Sequence, residues 1–127
     1  MTMHLVRRNL RTVYYCLLDH REKIYDSDGN WTGEWKNIYA DPVPAKMVVG
    51  PARGYVHGDF YGRLPSDDRT VVSADITLPI DTSTMMYVDR SPQTDLEGHP
   101  CGFDYSVRRV AKMLNSVSYI LMEVKTG

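Results

Sequence analysis

The chain has 127 residues, 43% hydrophobic and 24% charged, with 15 basic residues against 16 acidic ones. That length holds a single domain, 1–127, with a real core, and the usage is that of a globular chain rather than a disordered one. A net charge of −1 lacks the basic excess of a dedicated nucleic-acid binder, and no apolar run approaches the roughly 20 residues that cross a bilayer.

The opening, Met1 to Arg11, is polar and basic with no apolar stretch of the kind a secretory signal needs. A reducing cytoplasm is therefore expected, with Cys16 and Cys101 as free thiols. Thr12-Val13-Tyr14-Tyr15-Cys16-Leu17-Leu18 follows as a β-branched and aromatic run. It is apolar on both alternating faces, so one face should enter the core and the other should lie under a neighbour or another subunit. Tyr14, Cys16 and Leu18 are the expected subunit-interface residues.

Asp26-Ser27-Asp28-Gly29-Asn30 reads as a hairpin turn, because Asp-Gly supplies the backbone geometry a tight reversal needs. Calcium is the competing reading, but neither register of a twelve-residue EF-hand loop places Gly sixth and Glu twelfth. Trp31 and Glu34 to Tyr39 resume an extended pattern with Trp35, Asn37 and Tyr39 on one face. Asp41-Pro42-Val43-Pro44 punctuates the chain, and Val43, Ala45, Met47 and Val49 then alternate as a half-buried strand does.

Gly50 to Asp68 carries four glycines and two prolines among aromatic and basic residues. Loops of this length in small domains are uncommon and tend to be functional. Arg53, Tyr55, His57, Phe60 and Arg63 are its candidate interaction residues, since aromatics and arginine are the usual anchors of interfaces. Regular structure returns at Arg69 to Ala74. A turn at Pro79 to Thr82 and a short apolar run, Met85 to Val88, lead into a second polar loop, Asp89 to Gly102.

The last segment carries two periods at once. Val107, Val110, Ala111, Leu114, Val117 and Leu121 sit at helical spacing, while Tyr105-Val107-Arg109 and Val117-Tyr119-Leu121 alternate as strands. Two strands broken near Asn115-Ser116 are expected, with a C-terminal helix as the alternative. The fold class is then all-β, a small barrel or sandwich with one long inserted loop.

No catalytic motif is visible, and the four histidines, His4, His20, His57 and His99, are scattered without ligand spacing. His99 and Cys101 flank Pro100 on a loop and propose no thiolate chemistry. No enzyme activity, metal or cofactor is expected.

Several short stretches together resemble a known family. Arg7-Arg8-Asn9-Leu10-Arg11-Thr12 and the tyrosine-rich strand after it resemble the start of head–tail joining proteins from phages of Gram-positive hosts. Pro51-Ala52-Arg53-Gly54, Asp68-Arg69-Thr70-Val71-Val72 and Tyr105-Ser106-Val107 to Asn115-Ser116-Val117-Ser118-Tyr119 are similar to later parts of the same proteins, in the same order. The family's Phe-Gly of the long loop stands here as Phe60-Tyr61-Gly62.

The resemblance implies a β-barrel that assembles as a homo-oligomeric ring, commonly a hexamer. Portal or adaptor would lie on the head side and tail terminator or tail tube on the tail side. It further implies a stopper, or head-closure, role in the neck of the virion, after assembly in the host cytoplasm, with transient contact to DNA in the channel and none to membrane. An adaptor or tail-terminator subunit is the nearest alternative, and adaptors tend to be helical. A monomeric small-barrel module for single-stranded nucleic acid is a further one, and would need a basic groove with stacking aromatics.

Overall fold

A computed structural model describes residues 10–51 and 69–124. Among them lie ten strands and no helix. They are β1 (Leu10–Cys16), β2 (Leu18–Tyr25), β3 (Trp31–Tyr39), β4 (Val43–Pro51), β5 (Arg69–Ser73), β6 (Met85–Tyr87), β7 (Gln93–Thr94), β8 (Pro100–Cys101), β9 (Tyr105–Lys112) and β10 (Val117–Glu123). Six of them close a barrel in the order β1-β4-β5-β10-β9-β6, while β2–β3 and β7–β8 form separate two-stranded sheets. The fold is all-β, as the turn chemistry predicts, and the C-terminal segment is a hairpin of two strands.

Alternation along the barrel strands fills its interior. Val13 lies opposite Ala45, Tyr15 opposite Met86, Tyr119 opposite Val71, and Leu121 opposite Val107. All of these belong to one apolar cluster with Met47, Val117 and Tyr105. A six-stranded barrel is narrow enough for side chains to occupy its centre, and each of its strands has a paired neighbour on both sides.

The helical spacing near the C-terminus has a structural cause. Ile120 pairs with Arg109 but Leu121 pairs with Val107, so Arg108 is an extra residue on β9. This bulge resets the alternation, and Val107 and Val110 both turn inward to the same core. Two inward residues three apart imitate a helix in sequence.

The outer face of β1 is covered by the chain itself. Cys16, Tyr87 and Phe103 form a second buried cluster, flanked by Tyr14, Tyr39 and Met85. The rings of Tyr39 and Tyr87 stand 5.0 and 4.9 Å from that of Phe103. The two-faced pattern is therefore real, but the second layer comes from the last residues of β3 and β6, Tyr39 and Tyr87, and from Phe103 after β8. Cys16 is fully enclosed and leaves no surface for another subunit, which corrects its expected place at an interface. Tyr14 and Leu18 are half-buried.

The polar loop Asp89 to Gly102 also hides structure. Its β7–β8 hairpin turns through Asp95, whose Oδ1 accepts the Glu97 and His99 amides at 2.9 Å each. The hairpin is held to the barrel by Tyr87, whose hydroxyl lies 2.5 Å from the Cys101 carbonyl and 3.1 Å from that of Gln93.

These environments separate the two thiols. Burial, with Asp41 as a lesser cause, pushes the Cys16 thiol up to about 11, whereas Cys101 is half-buried. Native protein at pH 8 is expected to release one equivalent of thiol chromophore to Ellman's reagent quickly, from Cys101, and a second only on denaturation. Two fast equivalents would show that the outer cluster opens readily.

Candidate functional site

β2 and β3 form an arm that leaves the end of β1 and returns to the start of β4. Its turn is built by Asp26, whose Oδ1 accepts the Asp28 and Asn30 amides at 2.9 Å each, with Gly29 at a φ of 84°. The carboxylate thus shapes a reversal, in line with the hairpin reading. Pairing of Lys23 with Trp35 and Tyr25 with Trp31 puts all four on one face.

That face is open to solvent. Tyr25, Trp31 and Trp35 are 59%, 48% and 49% exposed, when such large rings are usually mostly covered. The indoles meet edge to face at 5.9 Å, and the Trp31 Nε1 donates to the Glu34 carbonyl at 3.1 Å. The Lys23 ammonium lies 4.7 Å from the centre of Trp31 and 5.7 Å from that of Trp35. This cation–π stack fixes the rings in place. Sequence reasoning put Trp35 and Tyr39 on one face but did not single out this cluster. The signal was the pair of alternating runs, Lys23-x-Tyr25 and Trp31-x-x-x-Trp35, about one Asp-Gly turn.

The opposite face of the arm is charged. His20 sits between Asp19 (2.7 Å) and Glu22 (2.8 Å), and Lys36 reaches Glu97 of the β7–β8 turn at 3.4 Å. Hydrogen bonds to Glu22 and then Asp19 raise the His20 pKa above its ordinary 6.5. The partnered imidazolium therefore supports the arm fully below that ordinary value, and this support is lost as pH rises through the raised one. All three groups are on the surface, so the effect is small.

Asp95, Glu97 and His99 converge on the β7–β8 turn, their ligand atoms within 4.8 Å of one another. The scatter of histidines in the sequence did not suggest this. Both carboxylates are exposed, and Glu97 already faces Lys36.

The other end of the barrel is knotted by charge. Asp89 meets Arg11 at 3.1 Å and Arg69 at 3.3 Å, and Arg11 also donates to the Val88 carbonyl at 3.0 Å. Pro51 and Arg69 pair there, at the root of the long loop. Gly50 and Pro51 thus belong to β4, while the rest of that loop, with Arg53, Tyr55, His57, Phe60 and Arg63, lies outside the described residues. No helix among the described residues is long and apolar enough to cross a membrane. Comparison with family models, curated proteins and solved structures finds no match for this chain.

Proposed function

We propose that this chain is a structural subunit of the head–tail connector ring of a tailed bacteriophage, a stopper that retains packaged DNA and docks the tail. The observation that carries the reading is a small filled barrel with an aromatic arm face that stands exposed among the described residues. An isolated two-stranded hairpin is marginal in water, so an arm with such a face is built to be completed by another molecule. The sequence resemblance supplies the class of assembly. The all-β fold favours stopper over the helical adaptor. The chain works by assembly rather than catalysis, as a homo-oligomeric ring, with portal or adaptor above and tail components below.

One observation favours a second reading. Exposed Trp31, Trp35 and Tyr25 with Lys23 and Arg21 on the same face offer a stacking platform with positive charge, as single-stranded nucleic acid binding requires. Against it, Lys23 already lies over the Trp31 ring that a base would cover, and the chain has no net positive charge. The ring reading is the stronger.

Particle assembly tests it. Particles made without the chain are expected to package DNA, then lose it, and to carry no tails. Deleting residues 55–63 should give the same defect while the purified chain keeps its β-type far-ultraviolet spectrum. Normal infectious particles from the complete knockout would overturn the connector reading, and normal particles from the deletion would show that the long loop, which the resemblance implies can plug the lumen, is not needed to retain DNA or dock the tail.

A further inference from the structure

The barrel's strand order places a second uncovered apolar patch opposite the arm. The arm springs from the junction of β1 and β4. In the closed order β1-β4-β5-β10-β9-β6, the β10/β9 junction lies three steps from it in either direction, directly across the barrel. The turn at that junction, between Lys112 and Val117, carries Met113 and Leu114, 66% and 86% exposed. Both features lie at the same end. Val43 pairs with Tyr15 at the end of β1, and Val117 pairs with Ser73 at the end of β5, which runs antiparallel to β4. Ile76, three residues after the end of β5, is also exposed.

We infer that the aromatic face of the arm docks on the Met113–Leu114 turn of a second copy of this chain. Two different patches rooted on opposite sides of one subunit, at the same end of its barrel, make a head-to-tail contact, the kind that closes rings. Their chemistry is complementary: flexible methionine and leucine side chains fit against aromatic rings, and sulfur–ring contacts are favourable. Three aromatics about half exposed leave on the order of 300 Å². With a similar area on the turn, the two patches supply roughly a third to a half of the 1,200–2,000 Å² of a stable interface. Association of free subunits is therefore weak, and is reinforced when closure makes every subunit both donor and acceptor. The inference rests on the ring reading for closure only; the contact itself follows from the two surfaces.

Trp31 and Trp35 are the two tryptophans of the chain, so intrinsic fluorescence reads this face directly. The full chain should be taken from micromolar to millimolar concentration, following mass by sedimentation and the indoles by emission and acrylamide quenching. Mass is expected to rise while emission shifts to the blue and the quenching constant falls by about half, as half-exposed rings become enclosed. Leu114→Arg, a change on an exposed turn that also opposes Lys23, should hold both readouts at monomer values. Leu96→Arg, on the still more exposed β7–β8 turn, should leave assembly unchanged. Mixing Leu114→Arg with Trp31→Ala/Trp35→Ala, each keeping one working patch, should stop at pairs.

Assembly with unaltered emission, or assembly that survives Leu114→Arg, would overturn the contact. A chain that stays monomeric throughout would also overturn it, as would oligothymidylate quenching the indoles of a chain that never associates. If the contact is found but particles need no such chain, the connector reading falls and the contact stands. If particles need the chain but Leu114→Arg assembles normally, the reverse holds.

Discussion

Tyr119→Ala is expected to lower the stability of the domain by about 4 kcal/mol, the usual cost of truncating a fully enclosed aromatic. Tyr119 is 1% exposed at the centre of β10, between Val71 of β5 and Val110 of β9. Removing its ring leaves a void that three strands share, and a closed barrel cannot slide one strand to fill it. Burial, with smaller effects from Asp75 and Tyr15, pushes its hydroxyl up to about 12, which agrees with a ring held away from water. Met122→Ala, three residues on and 44% exposed, should cost about 0.5 kcal/mol or less. Urea unfolding of the two variants measures the contrast. Equal losses would mean that β10 does not have the register described.

Asp104→Asn is expected to cost about 3 kcal/mol and to lower the Tm by roughly 10 °C. The carboxylate is buried, accepting the Val88 amide on Oδ1 at 2.9 Å and the Asp89 amide on Oδ2 at 2.7 Å. An amide side chain offers one oxygen and one nitrogen, so one of the two backbone donors would face another donor. Each bond to a charged acceptor contributes about 1.5–3 kcal/mol, and an unmet buried N–H costs more than the bond it loses. The damage should spread to the Arg11–Asp89–Arg69 knot that the same backbone positions. Calorimetry decides it: a Tm within a degree or two of the parent would show that the loop after β6 holds its place without Asp104.

These two residues also mark what sequence could reveal. Tyr119 was legible, because Val117, Tyr119 and Leu121 alternate and the strand is long enough for the period to register. The Asp26–Asn30 hairpin was legible for a local reason, the demand of a tight turn for Asp and Gly. Asp104 was not, because its partners Val88 and Asp89 are distant in sequence and a buried carboxylate reads as an ordinary loop charge. β7 and β8 are two residues each, too short for any alternation to show. The bulge at Arg108 made part of a strand look helical. For the candidate site, the two-faced character of β1 was visible, but the source of its outer cover depended on where Phe103 returned. The aromatic face of the arm needed the β2–β3 register, which puts Lys23 and Trp35 side by side.

The barrel's closing order has a consequence in time. β1 pairs with β4 on one side and with Met85–Tyr87 on the other, and β5 waits for β10. A nascent chain emerging from a ribosome can therefore form the arm and the β1–β4 pair early, as an open curl exposing Val13, Tyr15 and Met47. It cannot seal that curl until Val117–Glu123 has been made, and long-range strand pairing is slow. During that interval its aromatic arm and unsatisfied strand edges are offered together to every other unfinished copy nearby. Translation speed and chaperone supply, more than the strength of the finished barrel, would then set the yield of assembly-competent subunits.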